Sequence, residues 1–423
     1  MRKVLPPPMG WNTWDCYGSL ITEEQVKANA ERLARDLLPY GWQYAVIDIN
    51  WYEPVRGIHD GLTDGGVRDE FGRYLPAPNR FPSSAGGAGF KPLADFIHRL
   101  GLKFGLHIMR GIPRAAVEAR QPIAGSDYTA DQVADVGSTC VWNSNNYGIN
   151  MRAPGAQAYY DSIVQLYARW GVDFIKADDM VRAEEIEGLA RAMDCHGPEM
   201  VLSLVGVTEG AVLGHPRATM YRIGTDVWDH WDDPNTIWVG VQRSFDLCAK
   251  FAPAIAEGSY PDADMLPLGR IGKNDAEGED RETRLTPVEQ VTMMTLWSIF
   301  RSPLMFGGSL TEMDPWTLSL LTNPEVLAVN QRSRGNRPVY TEPGRAVWAA
   351  RDPESDAAYV ALFNRSDAAQ AVGVDLGAVG IAGRAAVRDL WQRSDSEPCE
   401  GALERVIEPH GSRLLKLTPE RKA

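Results

Sequence analysis

Two aspartates stand at the ends of strand-like segments and carry the chemistry most open to reading. Asp178 closes Phe174-Ile175-Lys176-Ala177-Asp178, with Asp179 following, and Asp226 closes Tyr221-Arg222-Ile223-Gly224-Thr225-Asp226. Breaking an acetal between sugars takes two carboxyl groups in opposite protonation states, and each segment offers one beside a fixed cation. Residues two apart on a strand share a side, so Lys176 and Asp178 enter the same space if Phe174 does, and the ammonium would keep Asp178 ionised as a nucleophile must be. Arg222 and Asp226, four apart, share a face provided the strand stays extended. Asp226 must start the reaction with its proton, a matter decided between anionic Asp178 and cationic Arg222. Taken singly, either aspartate reads equally as a helix cap or a structural ion pair.

These segments belong to a longer rhythm. From about residue 8 to 330, short apolar runs alternate with helical patterns, and eight strands are expected at 9–14, 44–49, 103–109, 172–177, 200–205, 220–225, 263–267 and 303–306. Helices intervene at 22–38, opened by the capping-box pair Thr22 and Gln25, and at 92–100. Eight such units predict a (β/α)8 TIM barrel, whose catalytic groups gather at the carboxyl ends of the strands. The span exceeds the roughly 250 residues of a plain barrel, the surplus falling in 53–90 and 111–153, expected over the active face. Past Gly335-Asn336-Arg337-Pro338 the pattern turns to short alternating stretches at 346–350, 358–363, 386–390 and 413–417. They predict a small C-terminal antiparallel β-sandwich, giving domains of 1–334 and 335–423.

The chain has 423 residues, 44% of them hydrophobic, and a formal net charge of -13. That charge argues against nucleic acid as a partner and leaves a neutral substrate indifferent. Five widely spaced cysteines without a CxxC pair suggest neither a disulfide framework nor a zinc cluster. The prolines after Met1-Arg2-Lys3 interrupt the apolar stretch of a signal peptide, and no run is long enough to span a membrane. A soluble, cytoplasmic protein with no membrane partner is the expectation; a homo-oligomer is compatible with it.

The ordered segments Met9-Gly10-Trp11-Asn12-Thr13-Trp14, Val46-Ile47-Asp48, Gly101-Leu102-Lys103-Phe104-Gly105, Lys176-Ala177-Asp178, Arg222-Ile223-Gly224-Thr225-Asp226, Asp264-Met265-Leu266 and Ser302-Pro303-Leu304 resemble the motifs of glycoside hydrolase family 27. This is the family of α-galactosidases and α-N-acetylgalactosaminidases, and the resemblance covers nearly the whole chain. It implies a barrel followed by a β-sandwich and a retaining double displacement without cofactor or metal. By position it implies Asp178 as nucleophile and Asp226 as general acid and base. It further implies Lys176, Arg222, Asp48 and Asp264 as groups that bind or frame the sugar and Trp14 as an aromatic wall; His107 and Ile49, which depart from the family's residues, are expected to line the same pocket. The implied activity is removal of a terminal α-D-galactose-like residue from an oligosaccharide or glycoconjugate.

Departures from the family pattern bear on the substrate. The usual Asp-Asp after the second strand is here Asp48-Ile49, so a carboxylate that grips hydroxyls around C4 and C6 is replaced by an alkyl group. That looks like the β-L-arabinopyranosidase branch, whose sugar is α-galactose without its C6 hydroxymethyl. Ser203-Leu204-Val205-Gly206 stands where the family reads the C2 substituent, leaving N-acetylgalactosamine open. His107 occupies a common tyrosine position, and Met180 follows Asp178-Asp179 where a bracing cysteine often lies, so rigidity there is expected from packing.

Other residues compete for roles. Asp179 should face away from Asp178. Asp229, His230, Asp232 and Asp233 are acidic enough to suggest a metal, but without ligand spacing they read as a loop with capping duties. Trp51, Trp142, Trp228 and Trp231 line either a pocket or the core. A carbohydrate-binding protein without turnover, and a metal-dependent barrel hydrolase, are the competing functional classes.

Overall fold

A computed structural model describes residues 4–55, 66–206, 215–273 and 278–420. Eight parallel strands form one sheet: β1 (Met9–Asn12), β2 (Tyr44–Ile47), β3 (Lys103–Met109), β4 (Phe174–Asp178), β5 (Val201–Leu204), β6 (Met220–Arg222), β7 (Tyr260–Asp262) and β8 (Leu304–Phe306). From β1 to β7 each pairs with its neighbour in sequence, and β1 also pairs with β8. The gap between β7 and β8 is bridged by the parallel pair Leu266 and Phe306, with the Leu266 amide donating to the Met305 carbonyl at 2.8 Å. The sheet therefore curls into the TIM barrel that the alternating pattern predicts.

The seventh strand lies earlier than the expected 263–267. Asp264 adopts φ of 89°, which an extended strand cannot accommodate, so β7 stops at Asp262 and pairing resumes only at Leu266. The first strand likewise ends at Asn12, and Trp14–Tyr17 form a one-turn helix. Among the helices that pack outside are α1 (Glu23–Arg32), α2 (Lys91–Arg99), α3 (Ala156–Trp170), α4 (Ala183–His196), α5 (Val241–Phe251), α6 (Pro287–Phe300), α7 (Pro315–Leu321) and α8 (Pro324–Arg332). The Thr22–Gln25 capping box opens α1 as expected.

Strand alternation sorts the core into two clusters. Tyr44, Val46, Phe174, Val201, Met220 and Met305 pack together inside the barrel. Their sequence neighbours Ala45, Ile47, Ile175, Leu202, Leu204, Tyr221, Leu304 and Phe306 join the helices outside. Lys176, Asp178, Ser203 and Arg222 thus carry the parity of the inner set. The inner layer is crowded enough that β1 and β3 contribute glycines: a Cβ on Gly10 would sit 2.5 Å from the Tyr44 carbonyl oxygen, and one on Gly105 would sit 2.8 Å from Val46 Cγ2.

Of the long connections, residues 111–153 contain a small three-stranded antiparallel sheet (Ile112–Pro113, Asn146–Ile149, Ala134–Thr139), while 56–65 of the other insertion lie outside the described residues. The C-terminal region comprises β9 (Arg334–Glu342), β10 (Arg345–Arg351), β11 (Ala358–Asn364), β12 (Gln370–Asp375), β13 (Arg384–Asp389), β14 (Ser394–Glu400), β15 (Ala402–Ile407) and β16 (Ser412–Pro419). A six-stranded sheet in the order β9-β10-β11-β16-β13-β14 faces the β12–β15 pair. Val347, Val360, Leu362 and Leu415 meet Val372 and Leu403 between these layers. The alternate residues Trp348, Ala361, Phe363 and Leu414 instead join the barrel's outer core, where Trp348 meets Phe300 and Phe363 meets Phe245 edge-on at ring separations of 5.9 and 4.9 Å. One sheet therefore serves two cores.

Gly10→Ala should lower the free energy of unfolding by about 1–3 kcal/mol, since the added methyl meets main chain that cannot swing aside. Urea denaturation followed by circular dichroism measures it.

Candidate active site

The first half of the site is built on β2, β3 and β4. Register sets His107, Lys176 and Ser203 side by side, and Met109 beside Asp178. The Lys176 ammonium donates to Asp48 Oδ2 at 2.6 Å, Asn12 Nδ2 donates to the same oxygen at 2.7 Å, and the Ile49 amide donates to Oδ1 at 2.8 Å. Burial alone would raise the Asp48 pKa; the Lys176 charge, with His107 and these hydrogen bonds, outweighs it and holds the carboxyl well below the usual range. Lys176 is shifted upward in turn: burial opposes its charge, but Asp48 and Asp178 more than restore it. Asp178 lies 3.2 Å from His107 Nε2 and accepts the Asp179 amide at 3.0 Å. Burial pushes its pKa up, and the His107 hydrogen bond and Lys176 ammonium bring it below the ordinary value. Asp178 is therefore an anion at neutral pH.

The second half hangs on Arg222. Its guanidinium contacts Asp226 at 2.8 Å and Asp264 at 2.5 Å, with Asp262 at 4.0 Å. Three carboxylates divide one cation, so Arg222 is not reserved for Asp226. Arg222 and Asp226 do not meet through strand alternation, because β6 ends at Arg222 and the chain turns before Asp226. Their ion pair and the Val239 amide, which donates to the Asp226 carbonyl at 2.8 Å, hold the acid in place. Asp264 is fixed by the Val227 amide at 2.7 Å, and its carbonyl accepts Trp297 Nε1 at 2.8 Å. Burial raises the Asp264 pKa; Arg222 lowers it only in part, because Asp226 and Asp262 add to the rise. The two halves form one electrostatic cluster, since Lys176 feels both Asp178 and Arg222. The Asp226 side chain is 43% exposed against 15% for Asp178, so the former opens to solvent and the latter is enclosed.

Trp14 and Ile49 are buried together with Met109, Trp228 and Met265, an apolar wall above the barrel interior. Trp14 reaches it from the one-turn helix rather than a strand, anchored by its amide donating to Asn12 Oδ1 at 2.8 Å. Asp179 is drawn away from Asp178 by Arg110, whose Nε donates to its carboxylate at 2.9 Å and whose Nη1 donates to Glu185 at 2.8 Å. That ion-pair chain braces the Asp178–Met180 turn, where packing alone was expected. Trp51 packs among Tyr52, Phe90 and Trp170 as plain core, and Trp231 stacks at 4.1 Å on His410, in a turn of the C-terminal domain. Asp229 pairs with Arg281 at 2.7 Å and Asp233 accepts the Asn235 amide at 2.9 Å. No group of three or more metal-ligating side chains occurs among the described residues.

Asn12, Asp15 and Asp262 join the site without having been singled out. Asn12 was within reach of sequence reasoning, because it shares the parity of Gly10 on β1. Asp15 was not, since it lies past the expected strand at 9–14, on a one-turn helix that leaves no periodic pattern. It is buried, its Oδ2 has no hydrogen-bond partner among the described residues, and the absent side chain of Gly307 makes its space. Burial first, then Asp264 and Asp226, push its pKa well above the usual range.

A barrel carrying this carboxylate-rich cluster matches known proteins along nearly its whole length. The family model described as "Alpha galactosidase A" matches residues 118–332, and that described as "Alpha galactosidase C-terminal beta sandwich domain" matches 342–417. A GH27 β-L-arabinopyranosidase from Geobacillus stearothermophilus, solved in complex with arabinose, is 48% identical with a TM-score of 0.93, covering 98% of both chains. A Bacillus halodurans structure provisionally described as an α-N-acetylgalactosaminidase is 45% identical, with a TM-score of 0.88 and coverage of 99% of this chain and 98% of that one. A rice α-galactosidase is 28% identical over 98% of this chain and 85% of its own length. The barrel and its site thus define a glycoside hydrolase. The chain belongs to glycoside hydrolase family 27, the α-galactosidase family.

Lys176→Met should cost about 3–5 kcal/mol at neutral pH, because it leaves Asp48 charged, buried and without its cation. In the native protein the depressed Asp48 pKa adds stability above the unfolded carboxyl value of about 4, and that stability is lost as pH falls through the folded value. The thermal midpoint should therefore rise less steeply with pH on the acid side in the variant, which scanning calorimetry over a pH series measures.

Proposed function

We propose that the protein is a retaining exo-glycosidase for terminal pyranosides of the galactose configuration, with β-L-arabinopyranosides preferred over α-D-galactosides. Asp178, anionic and enclosed, attacks the anomeric carbon and forms a covalent glycosyl ester. Asp226, at the solvent-open side, gives its proton to the departing oxygen and then takes one from the water that hydrolyses the ester. Lys176 and Asp48 hold each other at the sugar's hydroxyl edge, Arg222 and Asp264 position Asp226, and the Trp14 face covers apolar C–H groups. No cofactor enters the sequence of steps. A reducing, cytoplasmic setting belongs to the same proposal, in keeping with the free thiols of Cys16, Cys140, Cys195, Cys248 and Cys399.

Ile49 carries the sugar preference. It is 3% exposed and packed against Trp14, Met109, Trp228 and Met265, so a hydroxymethyl directed at it would lose water and gain no partner. An unmet buried hydroxyl costs about 1–3 kcal/mol, which is about 5- to 150-fold in kcat/KM. The likeness to the Geobacillus arabinopyranosidase supports this reading. α-Galactosidase activity is the second reading, supported by the curated plant relatives.

Asp178→Ala should reduce kcat/KM by roughly 10⁴-fold. Azide should restore part of it, entering from the vacated face as the aryloxide leaves and giving a glycosyl azide of inverted configuration, identified by NMR; undiminished turnover would remove Asp178 from its role. On aryl glycosides the native enzyme should favour the β-L-arabinopyranoside over the α-D-galactopyranoside, and Ile49→Asp should shift the ratio toward the galactoside by about tenfold or more. A native preference for galactoside would decide for the second reading.

A further inference from the structure

A cavity of about 550 Å³ lies where the barrel's α6 and α7 meet the C-terminal sheet, and none of its lining residues belongs to the catalytic cluster. Three aromatic side chains are exposed among the described residues, Tyr40, Tyr128 and Trp316, and two of them, Tyr40 and Trp316, line this one cavity. Trp391 supplies a third ring from the sheet side. Both indoles are fixed through their N–H groups: Trp316 Nε1 donates to Gln290 Oε1 at 3.0 Å and Trp391 Nε1 to Thr295 Oγ1 at 2.8 Å. Their orientation is thus set by the fold, at the cost of leaving apolar ring surface in contact with water.

The charges around these rings cancel. Arg413 pairs with Glu408 at 3.0 Å, Arg393 lies 3.7 Å from Glu325, and Asp389 accepts the amides of Trp391 and Gln392 at 2.9 Å each. Such a lining has no net field to draw an ion. Gln392 lines the same cavity, and its carboxamide, which makes no hydrogen bond among the described residues, can both donate and accept. Fixed aromatic plates, cancelled charge and a spare amide suit a ligand with apolar C–H faces and a rim of hydroxyls.

We propose that this groove is a second carbohydrate site, binding pyranose units of a neutral oligosaccharide or polysaccharide away from the catalytic pocket. It would hold a polymeric substrate on the enzyme between cleavage events. The proposal needs only that the enzyme meets carbohydrate, as its family does, and is independent of which terminal sugar is cleaved.

Native affinity electrophoresis in gels cast with arabinogalactan or galactomannan tests it, using the full-length Asp178→Ala variant with free L-arabinose and galactose in excess to occupy the catalytic pocket. Retardation by at least one polymer is expected, and Trp316→Ala/Trp391→Ala in that background should weaken it by about tenfold. In the otherwise native enzyme the same pair should leave kcat/KM on aryl glycosides unchanged. If the tryptophan pair fails to fold, Tyr40→Ala and Gln392→Ala alter the groove from its surface and should each weaken retardation. Absence of retardation, equal retardation with the groove altered, or a change of oligomeric mass in sedimentation showing that a second copy fills the groove would each overturn the proposal. An unexpected aryl-glycoside preference would affect the catalytic reading alone.

Discussion

Everything at the barrel mouth is arranged around one buried ammonium. Lys176 binds Asp48 directly and lies close enough to Asp178 and Arg222 to feel both charges. Without it the mouth would have to hold Asp48 and Asp178 as unpaired anions in low dielectric, which a fold avoids by taking up protons. The position of that ammonium is dictated by strand parity. Phe174, two residues earlier, fills the barrel interior beside Tyr44 at a ring separation of 5.4 Å, so the next inward side chain must be Lys176 and the next Asp178. Apolar packing below thereby sets electrostatics above.

Arg222 solves the opposite problem. It faces more negative charge than it can neutralise: burial raises the pKa values of Asp264, Asp262 and Asp15, and neighbouring carboxylates add to the rise at Asp264 and Asp15. Asp48 and Asp178 are held ionised, while Asp264, Asp262 and Asp15 are pushed toward their neutral forms. A polarised site of this kind suits chemistry that needs an anion and an acid together.

Regular elements were legible in the sequence where one periodicity ran undisturbed. The apolar run at 103–109 coincides with β3, and Thr22 with Gln25 marked the start of α1 because the capping box is local chemistry. Reading failed where the backbone leaves the regular regions. The left-handed conformation of Asp264 displaced the seventh strand, and the end of β6 at Arg222 replaced an expected alternation by a turn and an ion pair. The Asp178 surroundings were legible since His107, Lys176 and Asp178 lie on strands and Asp48 directly follows one. Asp15 and the Arg110 brace were not, because a helix of one turn and a contact between residues 110 and 185 leave no periodic trace.

Helix α6 has no water-facing side over its last turns. Leu296, Trp297, Ile299 and Phe300 are all fully buried, with Trp297 reaching the Asp264 carbonyl and Phe300 meeting Trp348 of the C-terminal sheet. The sheet and the sugar pocket are thus two loads on a single beam. A substitution at Phe300 or Trp348 would therefore change the packing of the same helix whose Trp297 meets the Asp264 carbonyl.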